Sequence, residues 1–324
     1  MARTNSEILE LFESALAQLS VPEDPKLLYT PIIYSMSGGG KRLRPVLLLI
    51  TAEAFGGSVE DAMSAALAVE IFHNFTLLHD DIMDNADVRR GKPSVYAKWG
   101  ANVALLSGDA MLITAYKSLA KISSEALPKV MNIFSDMALE VCEGQQYDMD
   151  FETMSKVSVE EYMQMIERKT SALLSGSAMI GATMAGASEE DVKKIHRFAT
   201  ELGLAFQLQD DVLDSFGDTA LGKKIGGDIL EGKKTFLMVQ ALNRASEEER
   251  RTLTETHLRK DLSDDQKIAV VKSLYEKLDV KRVAEQQIEL RFERALAVLD
   301  TLSIAGERTE NLAEFARNLM GRKK

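Results

Sequence analysis

Proline is confined to the first 128 positions of this 324-residue chain. After Pro128, residues 129–324 contain nothing that would break a helix by removing a backbone donor. Apolar residues recur at helical spacing, as in Ile8, Phe12 and Leu16. No alternation of apolar and polar residues is long enough to predict a sheet, and no repeat or linker divides the chain. We therefore predict one all-α domain over residues 1–324, built as a single-domain bundle of long helices.

The composition excludes several classes of protein. Lys and Arg number 39 against 50 Asp and Glu, and the net charge of −11 disfavours nonspecific binding to nucleic acid or to an anionic membrane. The one cysteine, Cys142, excludes an intrachain disulfide and a cysteine-based zinc site. The N-terminal segment is amphipathic and contains acidic residues, unlike a signal or transit peptide, so we expect a cytoplasmic protein.

One uncharged stretch, residues 170–188, has about the length of a membrane span. Nearly half of its residues are Ser, Thr or Gly, and charged residues flank both ends. Because small residues let neighbouring helices approach closely, we predict a buried helix here and no integral membrane segment.

Two acidic clusters with the pattern DDxxD occupy residues 80–84 and 210–214. On a helix, the first and last aspartates of each cluster share a face, because residues four apart are neighbours. One such cluster alone is more often a helix start or a solvated face. Here both lie in apolar surroundings, where uncompensated carboxylates are costly, and hard oxygen ligands at this density suit Mg²⁺ completed by substrate phosphate oxygens. Basic residues follow each cluster, so we predict a cage for a diphosphate and its metal ions.

A glycine-rich loop at residues 37–45 leads into an apolar helix and carries Lys41 and Arg44. Glycine permits close backbone approach and a helix N-terminus favours an anion, although a flexible basic turn would show the same pattern. The sequences of residues 217–224 and 227–234 nearly match the Walker A motif. Both end in lysine where the motif requires Ser or Thr, and neither follows a predicted strand. We reject a nucleoside triphosphatase and retain Lys223 and Lys233 as candidate phosphate ligands.

Five ordered motifs together resemble the trans-isoprenyl diphosphate synthase family, of the farnesyl and geranylgeranyl type. They are GGGKRLRP at 38–45, HNFTLLHDDIMDNADVRRGKP at 73–93, ERKT at 167–170, FQLQDDVLD at 206–214 and GKKIGGDILEGKKT at 222–235. The resemblance covers most of the chain. It implies an all-α fold around a deep central cavity, a homodimer, and head-to-tail prenyl transfer with Mg²⁺, three ions being held when substrate is bound.

The resemblance also implies roles for single residues. The magnesium ligands it implies are Asp80, Asp84 and Asp210, supported by Asp81, Asp211 and Asp214. The residues implied for the allylic diphosphate are Arg89, Lys169, Lys223 and Lys233, and those for isopentenyl diphosphate are Lys41, Arg44, His73 and Arg90. The catalytic group beside the reacting carbon would comprise Lys169, Thr170 and Gln207.

We therefore expect a transferase that condenses isopentenyl diphosphate with an allylic diphosphate and releases diphosphate. Ionising the allylic substrate creates a carbocation and a charged leaving group, which metal ions and Lys or Arg side chains stabilise. In this family the growing chain passes along the helix that bears the first acidic cluster. Phe75, five residues before Asp80, is expected to block it and limit the product to C15–C20, with C15 slightly favoured.

Four alternatives remain open at this point: a longer-chain synthase, a terpene cyclase, a non-catalytic partner subunit, and an acidic metal-buffering helical protein. The second DDxxD and the glycine-rich loop argue against a cyclase, which has no need of a second diphosphate site. The presence of both acidic clusters argues against a partner subunit, which is expected to have lost one.

Overall fold

The computed structural model describes residues 3–122, 125–217, 225–304 and 306–321. The α-helices in these ranges are α1 (Asn5–Ala17), α2 (Lys26–Met36), α3 (Leu43–Ala54), α4 (Val59–Met83), α5 (Val95–Trp99), α6 (Ala101–Leu119), α7 (Leu127–Thr153), α8 (Val159–Ile166), α9 (Ala172–Met184), α10 (Glu189–Phe216), α11 (Gly227–Glu231), α12 (Phe236–Arg244), α13 (Glu247–Glu255), α14 (Asp264–Lys277), α15 (Val280–Leu299) and α16 (Gly306–Met320). A π-helical turn, Glu167–Ser171, lies between α8 and α9, and a 3-10 helix, Thr256–Leu258, follows α13. The all-α class predicted from the sequence is confirmed.

The chain forms two compact units. The first comprises Met1–Ser135, Gly176–Ile195 and Leu302–Leu312, and the second comprises Asp136–Ser175, His196–Thr301 and Ala313–Lys324. The expectation of one domain over residues 1–324, around a central cavity, stays a prediction.

The first unit is built around α4, which packs against α3 and α6. α4 begins after Ser58, whose hydroxyl accepts a hydrogen bond from the amide of Asp61. This bond satisfies one of the amides that a helix start leaves without an intrahelical acceptor. Residues 46–50 of α3 are buried and apolar. α4 therefore runs through the core of this unit and carries the first acidic cluster at its C-terminal end.

The second unit has an apolar core that includes Phe151, Tyr162, Leu208, Phe236 and Tyr275. α12 contacts α8, α13, α14 and α15. It begins after a threonine cap, Thr235, that accepts a hydrogen bond from the amide three residues on. The start of α12 thereby lies in the core, where its first amide is available to the second acidic cluster.

Within the uncharged stretch at residues 170–188, residues 170–184 form the end of the π-helical turn and α9. Its side chains include the buried Leu173, Ser177 and Ile180, so the predicted buried helix is confirmed. None of the helices in the described ranges is long and apolar enough to cross a membrane.

Strands in the described residues form one short hairpin. β1 (Val88–Arg89) and β2 (Lys92–Pro93) pair antiparallel, with Arg89 opposite Lys92. The turn residues Arg90 and Gly91 both have positive φ, 52° and 74°, as a type I′ turn requires. Strands of two residues are too short to show alternation, so the sequence pattern did not reveal them.

Candidate active site

The first acidic cluster lies at the C-terminal end of α4, where its members differ in exposure. Asp81 is buried, whereas Asp80 is half-buried and Asp84, the C-cap residue, is exposed. Asp81 Oδ1 accepts hydrogen bonds from Arg89 Nε at 2.8 Å and Nη2 at 2.5 Å. Burial raises the pKa of Asp81, and the Arg89 guanidinium partly opposes that rise. The hairpin therefore supplies the counter-charge for the buried member of the cluster.

The tip of the hairpin contacts the glycine-rich loop. The Arg90 guanidinium donates to the carbonyl oxygen of Gly39. Gly40 has φ +151°, and a Cβ at that position would lie 3.2 Å from the Arg90 guanidinium. Because other residues rarely adopt this φ, the backbone favours glycine here, and an added side chain would also displace the Arg90 guanidinium. Lys41, the next residue, is exposed.

Arg44 and His73 form a half-buried pair. Arg44 Nη1 lies 3.2 Å from His73 Nε2. Arginine has donors only, so Nε2 is the acceptor and the neutral ring carries its proton on Nδ1. Burial, and then Arg44 and the neighbouring arginines, hold the pKa of His73 well below its usual value. Burial also lowers the pKa of Arg44 to about 10. Among the described residues, Arg44 Nε has no hydrogen-bond partner although it is buried, which leaves a donor for a ligand oxygen.

A buried ion pair beneath this site was not anticipated. Arg42, in the left-handed conformation with φ 48°, donates from Nη1 to Glu70 Oε1 at 2.6 Å. Its Nε donates to Glu13 at 2.8 Å and its Nη2 to the carbonyl of Met36 at 3.1 Å. The available signal was a glutamate within an otherwise apolar helical stripe of α4.

Asp211 is the hydrogen-bonding centre of the second site. Its carboxylate accepts from Tyr162 Oη, from the backbone amide of Phe236 at 2.9 Å and from Gln207 Nε2 at 3.0 Å. Burial raises the pKa of Asp211 to about 6, against the effect of these three bonds. The same burial, together with Asp211, raises the pKa of Tyr162 far above its ordinary value. Three segments, α8, α10 and α12, thus meet at one carboxylate.

The π-helical turn presents the next two predicted residues. Lys169 Nζ donates to Asp148 Oδ2 on α7 at 2.5 Å, and Thr170 Oγ1 donates to Gln207 Oε1 at 2.9 Å. Because Gln207 in turn donates to Asp211, the side chains of Thr170, Gln207 and Asp211 form one chain of hydrogen bonds. Single π turns inside helices occur frequently at functional sites, and this one places two adjacent residues towards the same cavity.

Two glycines on neighbouring helices leave the space that the π-helical turn occupies. A Cβ on Gly144 of α7 would lie 2.2 Å from the backbone nitrogen of Lys169. A Cβ on Gly203 of α10 would lie 2.6 Å from Ser171 Oγ and 2.9 Å from its Cα. Neither glycine has positive φ, so space rather than backbone conformation requires them. Sequence reasoning missed both, because a helical glycine shows no signal of what packs against it.

The segment after α10 brings further charges to the second site. Asp214 Oδ2 accepts from the amide of Asp228 at 3.2 Å. Burial, and then Asp214 and Asp211, raise the pKa of Asp228. Lys233 pairs with Glu231 at 2.9 Å. Lys234 instead donates to two carbonyl oxygens at the end of α7, those of Phe151 at 3.2 Å and Met154 at 3.0 Å. The two adjacent lysines therefore have different environments.

One cavity of the second unit collects six predicted site residues: Lys169, Thr170, Gln207, Asp210, Asp211 and Lys233. It is also lined by residues to which sequence reasoning gave no role: Asp148, Tyr162, Asp228 and Lys234. In the first unit, a cleft beside the glycine-rich loop is lined by Asp81, Arg89 and Arg90. Lys223 lies outside the described residues. The roles of all these residues stay predictions.

The donor set fits magnesium completed by a ligand. Carboxylate oxygens are the donors that Mg²⁺ prefers, and it usually takes one or two of them with water and phosphate oxygens. In the described part of the chain, no group of three or more Asp, Glu, His or Cys side chains is arranged to hold an ion alone. The carboxylates of the two acidic clusters therefore have the donor chemistry that Mg²⁺ prefers.

Solved structures with this fold define the class of protein. A geranylgeranyl pyrophosphate synthase matches with a TM-score of 0.94 and 43% identity, covering 100% of both chains. The geranylgeranyl pyrophosphate synthetase from Pyrococcus horikoshii matches with a TM-score of 0.87 and 34% identity, over 98% of this chain and 94% of that one. The fold is that of the isoprenyl diphosphate synthases.

Sequence comparison agrees with the fold. A family model described as polyprenyl synthetase matches residues 25–278. The geranylgeranyl diphosphate synthase of Methanosarcina mazei is 43% identical over 235 residues, 72% of each chain. That of Sulfolobus acidocaldarius is 38% identical over 299 residues, 90% of each chain. The chain belongs to the polyprenyl synthetase family, which confirms the resemblance seen in the motifs.

Proposed function

We propose that this protein is a Mg²⁺-dependent prenyltransferase that condenses isopentenyl diphosphate head-to-tail with an allylic diphosphate. The cavity of the second unit carries the proposal, because cations and carboxylates there surround Thr170 and Gln207. A departing diphosphate needs positive charge fixed where its own charge develops. Family membership and relatives named geranylgeranyl diphosphate synthase support the same activity.

The residues divide into groups that act on different parts of the reaction. Lys169, Lys233 and Arg89 hold the allylic diphosphate by charge, with Lys223 as a further predicted ligand. When bound at Asp80, Asp84 and Asp210, Mg²⁺ supplies the additional positive charge that the leaving diphosphate requires. Arg44, Arg90, Lys41 and His73 hold isopentenyl diphosphate.

Thr170 and Gln207 form the wall beside the carbocation. The Thr170 hydroxyl donates its proton to a hydrogen bond with Gln207, and the Gln207 amide group donates to Asp211. These bonds fix both side chains, so their oxygen dipoles stabilise a cation without a mobile nucleophile to trap it. The departing diphosphate then takes the proton that isopentenyl diphosphate releases.

We propose a C20 product within the predicted range of C15–C20, because several relatives are named geranylgeranyl diphosphate synthases. Phe75 is buried in α4, with its ring 5.5 Å from Phe72 and 4.6 Å from His79. His79 in turn lies 3.1 Å from the carbonyl of Leu105 on α6. A ring supported on two sides suits the floor of a chain-length pocket. A relative from Aeropyrum pernix is named geranylfarnesyl diphosphate synthase, so one further isoprene unit is the second candidate.

Turnover of the purified protein tests the proposal. Labelled isopentenyl diphosphate, an allylic starter and Mg²⁺ are expected to give an extended prenyl diphosphate, identified by chromatography. Asp80→Ala and Asp210→Ala are expected to lose at least about 100-fold in rate while remaining folded, as other deleted electrostatic stabilisers do, on the order of 3–4 kcal/mol. Asp136→Ala, an exposed site on α7, is the matched control. Near-normal rates in either cluster variant would contradict the proposal, and a cyclic hydrocarbon product would identify a terpene cyclase.

We also propose a homodimer. Leu105, Leu106 and Ile113 on α6 are each at least half exposed, and contiguous exposed apolar residues mark interaction surfaces. Light scattering is expected to give twice the mass of one chain, and Leu106→Glu to give monomers. A monomeric wild type would contradict the assembly but not the activity. The cytoplasmic location stays a prediction, open to cell fractionation.

A further inference from the structure

Glu70 is a charged residue in the core of the first unit that the proposed reaction does not use. It is 2% exposed and lies in the middle of α4. Its Oε1 accepts from Arg42 Nη1 at 2.6 Å and from Asn74 Nδ2 at 3.0 Å. Removing two charges from water is expensive, so a buried ion pair is weak evidence of a contribution to stability. The pair therefore calls for another explanation.

Arg42 itself is not available to a ligand. It is 5% exposed, and each of its three nitrogen positions donates to a protein acceptor: Glu70, Glu13 and the carbonyl of Met36. These bonds hold the backbone between α2 and α3 in a left-handed turn at position 42. Glu70 thereby helps to fix the loop from which Arg44 projects.

Two further arginines lie near the Arg42–Glu70 ion pair, and both are positively charged. Arg44 and Arg90 are here called the arginine pair. Arg44 contacts His73, which lies one helical turn after Glu70 on α4, and Arg90 lines the same cleft as Asn74, which donates to Glu70. Burial lowers the pKa of both arginines, Arg90 lowers that of Arg44 further, and Glu70 opposes the fall in both. Arg89 is already matched by Asp81. Glu70 is thus the buried negative charge that the arginine pair shares.

We propose that Glu70 is a resident counter-anion, a positioning residue that holds the arginine pair and the glycine-rich loop together before a diphosphate binds. A diphosphate bound at the arginine pair brings its own negative charge close to Glu70. The Glu70 carboxylate therefore has two opposed effects. It positions the arginine pair for diphosphate, but it also repels the bound diphosphate and so lowers the affinity. The proposal rests on the proposed function only in taking the anion to be a diphosphate.

The substitution Glu70→Gln tests the charge while keeping an acceptor oxygen for Arg42 and Asn74. Without ligand, the variant is expected to melt at a lower temperature than wild type. Inorganic diphosphate in EDTA is expected to bind about tenfold more tightly, as one charge removed at an intermediate distance predicts, and to raise the melting temperature by more than in wild type. KM for isopentenyl diphosphate is expected to fall, with KM for the allylic diphosphate unchanged.

Three controls separate this reading from a purely structural role. Glu53→Gln removes a carboxylate paired with Arg3 at 3.1 Å in the same unit, and is expected to leave diphosphate affinity unchanged. Glu70→Asp retains the charge and is expected to bind diphosphate with wild-type affinity. In an Arg44→Ala background, Glu70→Gln is expected to give no gain in affinity, which places the effect at the arginine pair.

Unchanged or weaker diphosphate binding in a folded Glu70→Gln protein would overturn the proposal. If this variant does not fold alone, it is expected to fold when diphosphate is added, and failure in both conditions would also overturn it. Binding and melting need no prenyl transfer. An inactive wild type that shows the expected diphosphate response would thus refute the proposed function while leaving this inference intact.

Discussion

Gly144→Ala provides a sharp test of how the site is assembled. The added Cβ would lie 2.2 Å from the Lys169 backbone nitrogen and 2.6 Å from its Cα, whereas ordinary contact begins near 3.4 Å. Both are backbone atoms, so no side-chain rotation relieves the clash. The π-helical turn or α7 must therefore move by about 1 Å, as the difference between these distances requires.

That displacement has two measurable effects. Overpacking a close helix contact costs about 1–3 kcal/mol of stability, which urea denaturation would detect as a lower midpoint at unchanged slope. A displacement of about 1 Å in positioning residues costs roughly 100-fold in rate, and Lys169 and Thr170 are the residues displaced. We therefore expect kcat to fall by about that factor.

Gly306→Ala is the matched control, because a Cβ there meets nothing within 4 Å. It is expected to leave kcat and the free energy of unfolding close to wild type. If Gly144→Ala retained wild-type kcat, or lost stability without losing rate, close packing would not position the π-helical turn and the reasoning would fail.

Three further changes probe the two sites. Arg44→Ala is expected to raise KM chiefly for isopentenyl diphosphate and Lys233→Ala for the allylic substrate, and steady-state kinetics showing the reverse would exchange the assignments. Phe75→Ala is expected to lengthen the product, whereas an active variant with an unchanged product would place the floor elsewhere. Because the folded-state pKa of His73 lies below its ordinary value of 6.5, its stabilising contribution is present above pH 6.5 and lost as pH falls below it. Wild type is therefore expected to be less stable to urea at about pH 5.5 than at about pH 7.5, and His73→Gln, measured beside it, is expected to lack this part of the loss.

The helices and the acidic clusters could be predicted because their signals are local. Residues 129–324 lack proline and show apolar periodicity, and they contain α9, α10 and all of α7 beyond its first two residues. Aspartates four apart share a helix face whatever surrounds them. The sequence also shows Glu70 as a glutamate in an apolar helical stripe, but it does not indicate that Arg42 is its partner.

The features that escaped prediction depend on packing between distant segments. The π-helical turn has room because Gly144 and Gly203, on other helices, lack side chains where it packs. The sequence of the turn itself does not indicate this packing. Lys234 follows Lys233 directly, yet the lysine head group at 234 meets carbonyl oxygens at the end of α7. Sequence position alone does not separate a lysine that pairs with a nearby carboxylate, as Lys233 does with Glu231, from one that closes a helix terminus.

The bond between Asp211 and the amide of Phe236 has a consequence for dynamics. That amide belongs to the first residue of α12, where a helix offers no acceptor of its own. Its protection from exchange with deuterated water therefore depends on a carboxylate carried by α10. The exchange rate of this single proton would report the free energy of separating the two helices, and so the local opening of the cavity, in a protein that is neither turning over nor unfolding.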